Sequence, residues 1–162
     1  MKTKNIVISE QGLLQELSQL IEQSQKQIIS QANSNLTLLF WYVGHRINED
    51  ILKNKRADYG KQIVVTMSRE LTKKYGRNFE EKNLRRMLQF AEQFSDKSIV
   101  VTLSRQLSWS HFLAIIPLKT IEARLFYAQL ASTKALGVRD LRKQIETKAF
   151  ERTEIANIQS HP

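Results

Sequence analysis

Apolar residues recur at intervals of three and four positions in the stretch from Glu80 to Phe94. On a helix that turns by about 100° per residue, this spacing gathers them on one side, which is predicted to face a core. The stripe consists of Leu84, Met87, Leu88, Ala91 and Phe94. Because 162 residues include only five Gly and two Pro, the chain as a whole is predicted to form long helices with few tight turns.

The opposite side of this predicted helix carries cations and amides. It gathers Lys82, Arg85, Arg86, Gln89 and Gln93 within an arc of about 100°. Arg and Lys neutralise phosphates and donate to guanine, and Gln matches the donor and acceptor of adenine. The face therefore predicts contact with the major groove of duplex DNA, with a solvated helix surface as the alternative.

The charge of the chain supports a polyanionic partner. Its formal net charge is +9 and its sequence pI is near 9.9. Between Arg69 and Arg86 there are seven cations against three acidic residues. Basic charge is therefore densest around the predicted helix.

The segment before this helix predicts a helix-turn-helix. A helix from Lys61 to Tyr75 is followed by Gly76, which suits a left-handed helix end, and by Asn78, which can cap the next helix. In such a motif the second helix enters the major groove. The connection is about two residues longer than the strict turn. The candidate DNA-binding residues are Arg69, Lys73, Lys74, Arg77, Lys82, Arg85, Arg86, Gln89 and Gln93.

The fold class predicted is mainly α: a helical bundle containing a helix-turn-helix or winged-helix-like unit, with at most one short β segment near 99–103. We expect a tail at 1–8, a helical pair at 9–53, a DNA-binding region with C-terminal helices at 54–150 and a tail at 151–162, forming one compact domain. The helical pair would be divided at Asn33 or Ser34, either of which can cap the second helix.

The first helix, Ser9 to Gln31, carries an apolar seam that offers an alternative function. The seam residues are Leu13, Leu14, Leu17, Leu20, Ile21, Ser24 and Ile28. Such a seam can pair with a second chain or with the protein's own second helix. The alternative to DNA binding is therefore a helical interaction or dimerisation module, recognised by a stable homodimer that is indifferent to DNA.

The C-terminal third contains shorter elements. The β-branched run Ile99–Leu103 is predicted as either a wing strand or a buried connector that is extended or a short helix. Ser108 is predicted to cap a helix that ends before Pro117. The last helix, Val138 to Phe150, shows Arg139, Arg142 and Lys143, a second candidate set for phosphate contacts with a solvated face as its alternative.

No set of reactive groups predicts an enzyme. His45, His111 and His161 are far apart, and Ser108 and Ser110 are expected to point away from His111. The triplets Glu80-Glu81-Lys82 and Glu146-Thr147-Lys148 are predicted to lie on helices, whereas a metal-dependent nuclease needs such a triplet on a strand beside another acid. We therefore expect no catalytic residues, no metal and no cofactor.

The compartment expected is the cytoplasm. The chain has no cysteine, which suits a reducing environment. No signal peptide is visible, and the most apolar run, Leu36–Val43, is far shorter than the roughly 20 residues of a membrane span, so no membrane partner is expected.

A family resemblance adds to these expectations. The strings Tyr75-Gly76-Arg77-Asn78-Phe79 and Gln106-Leu107-Ser108-Trp109-Ser110-His111, with Tyr59-Gly60, resemble the N-terminal domain of the YhcG family of bacterial proteins. Further residues that carry the resemblance are Asn83, Leu84, Met87, Gln89, Phe90, Phe126, Tyr127, Val138, Arg139, Leu141, Gln144 and Ile145. It spans about Leu13 to Arg152.

The resemblance implies a helical, winged-helix-like DNA-binding module. Longer members of that family continue into a PD-(D/E)xK nuclease-like domain, to which no part of this chain corresponds. It therefore implies a targeting module that is non-catalytic by itself and whose partner is duplex DNA, with a nuclease-like domain or subunit as a second partner.

Overall fold

The structure is a computed structural model that describes the backbone of residues 8–160 and the side chains of residues 8–24 and 36–158. The helices are α1 (Ile8–Lys53), α2 (Tyr59–Tyr75), α3 (Glu81–Gln93), α4 (Lys97–Leu103), α5 (Trp109–Ile115), α6 (Ile121–Thr133), α7 (Val138–Glu146) and α8 (Ala149–Ser160). A 3₁₀ turn, Arg77–Phe79, lies between α2 and α3. The mainly α class is confirmed, and residues 8–160 contain no strand.

The run Ile99–Leu103 lies in helix α4, so of the two alternatives the short helical connector is correct and the wing strand is wrong. Asp96 caps this helix, since its carboxylate accepts from the Ser98 backbone N–H at 2.9 Å. Val100 and Leu103 are buried three residues apart on one side of the helix. Capping and burial on one helical side therefore outweigh the β preference of the branched residues.

The chain divides into two compact units. The first unit is Met1–Ser95 and the second is Asp96–Pro162. The boundary falls within the polar segment Ser95–Ser98, which separates the apolar stripe of α3 from the apolar residues of α4. Each unit has its own buried side chains, represented by Phe40 and Phe90 in the first and by Phe112 and Tyr127 in the second.

Helix α1 bends back on itself. The Arg46 guanidinium contacts the Glu16 carboxylate at 2.6 Å, although 30 residues of straight helix would separate them by about 45 Å. The element runs from Ile8 to Lys53, and the predicted division into two helices falls at Asn33 or Ser34. Neither Gly nor Pro occurs between Gly12 and Gly44 to end the helix. The side chains of residues 25–35, including those two cap candidates, lie outside the described part.

The apolar seam on residues 8–24, which we call the N-terminal arm of α1, is buried against other parts of the same chain. Leu13, Leu17 and Ile21 are each at most 1% exposed, whereas Leu14 and Leu20 are half-buried. The residues that would form the centre of a dimer contact are thus buried within the chain. Ile28 and residues 1–7 of the predicted N-terminal tail lie outside the described side chains.

The ion pair between Arg46 and Glu16, which joins the two arms of α1, is expected to make the stability of the protein depend on pH. Arg46 donates to both Glu16 oxygens, at 2.6 and 3.0 Å, and these bonds hold the pKa of Glu16 below its usual value. Because the folded pKa is the lower one, this stabilisation is complete above the usual value of about 4.5 and is lost as the pH falls through the folded pKa. We expect Glu16→Gln to flatten the fall in unfolding free energy below pH 5.

The expected size of this difference is below about 1 kcal/mol, because 53% of the Glu16 side chain is exposed and solvent screens the pair. Urea denaturation from pH 3 to 7 measures it. The matched control is Glu22→Gln on the same arm, which removes a bond from Tyr75 rather than an ion pair. An unchanged pH profile in Glu16→Gln would contradict the assignment.

Helix α3 lies against residues 36–53, which we call the C-terminal arm of α1. The carbonyl oxygen of Met87 comes so close to Gly44 that a Cβ there would be 2.0 Å away. The Asn48 amide donates to the Leu88 carbonyl at 2.9 Å, and the Trp41 indole donates to the Phe94 carbonyl at 2.7 Å. These contacts fix both the position and the rotation of α3.

In the second unit, α5, α6, α7 and α8 pack on one another. Helix α7 ends at Glu146 rather than at the predicted Phe150, because Lys148 adopts a φ of 58° that breaks the helix. The Tyr127 hydroxyl then accepts from the Phe150 N–H at 3.0 Å. Residues 149–160 form α8, and the side chains of 151–158, in the predicted tail, are exposed.

None of the helices in the described part of the chain has both the length and the apolar character needed to span a membrane.

Candidate nucleic-acid interface

The connection between α2 and α3 is built on Gly76. Its φ of 97° lies in the region that favours glycine, and its N–H closes α2 on the Thr72 carbonyl at 2.9 Å. Five residues, 76–80, separate the two helices and include the 3₁₀ turn. The predicted helix, Gly turn and helix are present, with the longer connection that the spacing indicated.

Helix α3 starts two residues later than Asn78 would place it. Its N-cap is Glu80, and Asn78 instead offers its carbonyl oxygen to the Asn83 amide at 2.6 Å. The reason is Phe79, which is buried and packs edge-on against Phe40 with ring centroids 6.0 Å apart. The predicted Asn78 cap was therefore wrong.

The buried side of α3 is close to the prediction. Leu84, Met87, Ala91 and Phe94 are buried, whereas Leu88 is only half-buried. Phe90, which is 0% exposed, was missed. Its spacing, three residues after Met87 and four before Phe94, was the signal that could have found it.

Four of the five predicted polar residues of α3 line one groove. Its volume is about 530 Å³ and its lining comprises Asn48, Lys82, Arg85, Arg86, Leu88, Gln89 and Glu92. The fifth, Gln93, is half-buried and its amide oxygen is shielded from solvent. The structure therefore brings together Lys82, Arg85, Arg86 and Gln89, which we call the α3 basic groove, and leaves Gln93 out.

The cations of the groove differ in their local partners. The Arg85 guanidinium is 2.9 Å from the Glu81 carboxylate one turn earlier, and Arg86 donates to the Gln89 amide oxygen at 3.0 Å. Lys82 has no hydrogen-bond or ion-pair partner among the described residues. Arg86 and Lys82 thus keep their full charge facing solvent, whereas Glu81 offsets part of the charge of Arg85.

Asn48 is a groove residue that sequence reasoning missed. It lies on α1, one helical turn after Gly44, and its amide donates to the Leu88 carbonyl at 2.9 Å. Because residues four apart share a helix face, the close approach at Gly44 places Asn48 against α3 as well. The only sequence signal was this spacing from a glycine inside a helix.

The predicted cations of α2 do not join the groove. Arg69 and Lys73 both lie within ion-pair distance of Glu70, at 3.0 and 3.8 Å. The Lys74 ammonium bonds to the Ser18 hydroxyl at 3.2 Å and lies 5.6 Å from the centre of the Tyr75 ring. Arg69 and Lys73 are thus paired within α2, Lys74 contacts α1, and none of the three lines the groove.

Arg77, the remaining predicted cation of the first unit, is exposed in the 3₁₀ turn. It has no ion pair or hydrogen bond through its side chain within the described part of the chain. In the second unit, Arg139, Arg142 and Lys143 are exposed on α7.

Ser108 and His111 are in contact, contrary to the sequence expectation. His111 Nε2 lies 2.8 Å from the Leu136 carbonyl oxygen, which can only accept, so Nε2 carries the proton. Nδ1 then accepts from the Ser108 N–H at 3.0 Å and from its hydroxyl at 2.9 Å. The pair is a capping box at the start of α5, and His111 is 8% exposed. The residues are three positions apart, a spacing that brings side chains together at a helix start.

Neither acidic triplet lies on a strand. Glu80 and Glu81 begin α3, and Glu146 is the last residue of α7. Over residues 8–158, no three His, Cys, Asp or Glu side chains come close enough to hold a metal ion.

Several residues that carry the family resemblance serve packing. The Tyr59 hydroxyl donates to Asp50, and a Cβ on Gly60 would come within 3.3 Å of Ile51. The Gln106 side-chain oxygen accepts from the Ser132 hydroxyl at 2.9 Å. These residues therefore form contacts between helices. The cations of the α3 basic groove are not among the residues that carry the resemblance.

Comparison with known proteins agrees with the resemblance. The family model described as the DUF1016 N-terminal domain matches residues 16–152. The protein named "Putative nuclease YhcG" of Escherichia coli (strain K12) is 26% identical over 171 aligned residues, which cover 87% of this chain and 46% of that protein. The chain thus spans less than half the length of this curated relative. No solved structure matches.

Proposed function

The chain belongs to the DUF1016 N-terminal domain family, and from that premise we propose that it is a DNA-binding module that docks on duplex DNA through the α3 basic groove. The observation that carries the proposal is the convergence of Lys82, Arg85, Arg86 and Gln89 on one groove. Guanidinium groups bind phosphate oxygens with two parallel hydrogen bonds, and a lysine adds a point charge.

The groove suits the DNA backbone more than a neutral ligand. Its three cations are accompanied in the lining by a single carboxylate, that of Glu92. The net charge of +9 draws DNA toward the protein from a distance. Each phosphate contact releases a counterion, so the affinity is expected to fall steeply with salt.

We propose that the module is non-catalytic by itself and works beside a nuclease-like domain or subunit. The relative named as a nuclease is more than twice as long as the part aligned here. The acidic triplets of this chain lie at helix ends rather than on a strand beside another acid, and no three His, Cys, Asp or Glu side chains of the described residues come close enough to hold a metal ion. A cleavage assay with Mg²⁺ and plasmid DNA is expected to give no product above that of a Glu80→Gln variant.

The homodimer alternative receives less support. The centre of its proposed seam, Leu13, Leu17 and Ile21, is buried inside the chain. A second copy would have to displace these contacts. Analytical ultracentrifugation with and without duplex DNA distinguishes the two functions, because the alternative requires a dimer that DNA does not affect.

The proposal is tested by reversing two charges of the groove. Arg85→Glu/Arg86→Glu removes two charged hydrogen-bond donors, each worth about 1.5–3 kcal/mol, so the affinity for duplex DNA is expected to fall at least about 100-fold. The slope of log affinity against log salt is expected to become shallower by about 2. Fluorescence anisotropy with a labelled duplex measures both, and circular dichroism checks the fold.

The matched control reverses two exposed lysines of the same unit that do not line the groove, Lys55→Glu/Lys61→Glu. It makes the same change in net charge and is expected to lower the affinity far less. Equal losses of affinity in the two variants would show that the effect comes from net charge alone. Unchanged binding by the groove variant would refute the α3 basic groove as the DNA contact. Parallel titrations with single-stranded DNA and RNA identify the preferred nucleic acid.

A further inference from the structure

A second cluster of cations lies on α7 in the second unit. Arg139, Arg142 and Lys143 are all exposed, and their spacing of three and four residues puts them on one side of the helix. Leu141, which is 0% exposed, lies on the other side and packs into the unit. We call the three cations the α7 basic surface.

The α7 basic surface keeps its charge although acids are near in sequence. Glu146 follows Arg142 by four residues and Lys143 by three, a spacing at which ion pairs often form. Within the described part of the chain none of the three cations has an ion-pair or hydrogen-bond partner through its side chain. On α3, by contrast, Arg85 is paired with Glu81 at the same spacing. The α7 basic surface is therefore the less neutralised of the two.

Like charges at these spacings repel one another in the free protein. Arg139 faces Arg142 three residues on and Lys143 four residues on. A row of phosphates relieves this repulsion, because each phosphate places a negative charge between the cations. Folding leaves the three side chains exposed, whereas a bound polyanion would give each of them a counter-charge.

Helix α7 holds the surface in a fixed position on the second unit. It packs against α5, α6 and α8. At its start, the Leu136 carbonyl is held by His111 Nε2 at 2.8 Å, and after its end the Phe150 N–H is held by the Tyr127 hydroxyl at 3.0 Å. Only the long side chains of the three cations need to be ordered when a ligand binds.

We propose that the α7 basic surface is a second contact with the phosphate backbone of duplex DNA, so that each unit of the protein holds the DNA. This proposal rests on the proposed function and adds a separate surface to it. Two linked contacts raise the affinity beyond either alone, because the second binds at a high effective concentration. The α7 contact is to the backbone only, so it adds affinity without sequence preference.

The test neutralises the surface with Arg139→Gln/Arg142→Gln/Lys143→Gln in the 162-residue chain. Three lost phosphate contacts make the salt slope shallower by about 2.7, so that the wild type loses about 40-fold more affinity than the variant between 50 and 200 mM salt. The loss of affinity caused by the three substitutions is expected to be equal for duplexes of different sequence. The midpoint temperature of thermal unfolding is expected to be unchanged or slightly raised, since the substitutions remove repulsion between like charges.

The matched control, Arg105→Gln/Lys119→Gln/Lys134→Gln, removes three exposed cations of the same unit that lie outside α7. It makes the same charge change and is expected to alter the slope by less than about 1. A wild-type slope in the α7 variant, or an equal change in the control, overturns the proposal. If the α3 variant loses binding and the α7 variant does not, the second contact fails while the proposed function stands; absence of duplex binding by the wild type refutes both.

Discussion

Gly44→Ala is expected to lower the unfolding free energy by about 3 kcal/mol or more, the upper end for overpacking in a close-packed core. The added Cβ would lie 2.0 Å from the Met87 carbonyl oxygen and 2.5 Å from its carbonyl carbon. Both atoms are backbone, so no side-chain rotation relieves the clash, and α3 as a whole must move away from α1. Urea denaturation followed by circular dichroism measures the loss.

Gly12→Ala is the matched control on the same helix. A Cβ there has nothing within 4 Å, so the substitution tests only helix propensity and is expected to stabilise the protein by up to about 1 kcal/mol. The two substitutions are chemically identical and should have opposite signs. A Gly44→Ala protein as stable as the wild type would contradict the close packing of α1 on α3.

His111→Ala is expected to have the second-largest effect, a loss of about 2–3 kcal/mol. It leaves the Leu136 carbonyl and the Ser108 N–H, both part-buried, without their partners, and a polar group left unsatisfied costs about 1–3 kcal/mol when it is buried. Amide hydrogen exchange should show faster exchange in the second unit, at Ser108 in particular, with little change in the first.

Two further variants separate the roles of this imidazole. His111→Gln keeps a capping-box residue at the start of α5 and loses the bond to Leu136, so it should fall between the wild type and His111→Ala. His45→Ala removes a half-exposed ring that stacks on Trp41 at 4.8 Å and is expected to cost less than about 1 kcal/mol. Equal losses at the two histidines would contradict the tether between His111 and Leu136.

Local patterns predicted the helices well where side-chain periodicity and caps act over one turn. The apolar side of α3, the Ser108 cap and the glycine at the end of α2 needed only neighbours within four residues. Local patterns failed where a contact between residues distant in sequence decides the local structure. Burial of Phe79 against Phe40 shifts the start of α3, and burial of Val100 and Leu103 decides between the strand and the helix that the run Ile99–Leu103 left open.

The candidate site was predictable on one helix and not across two. Helical spacing alone grouped Lys82, Arg85, Arg86 and Gln89. The contribution of Asn48 and the diversion of Lys74 to Ser18 depend on how α1 bends and packs, which no local pattern reports. A list of cations read from the sequence therefore includes side chains, such as that of Lys74, that make contacts within the protein.

The fit of Met87 against Gly44 also bears on the thermodynamics of association. With α3 fixed at Gly44, Asn48 and Trp41, no backbone segment in its contact with α1 is left to order when the groove is filled. The entropy lost by the protein there is then confined to the side chains of Lys82 and the two arginines, about 0.5–1.5 kcal/mol for each one immobilised. If the groove binds duplex DNA as proposed, a duplex that does not match it would itself have to bend, and the stiffness of the duplex would then discriminate between sequences.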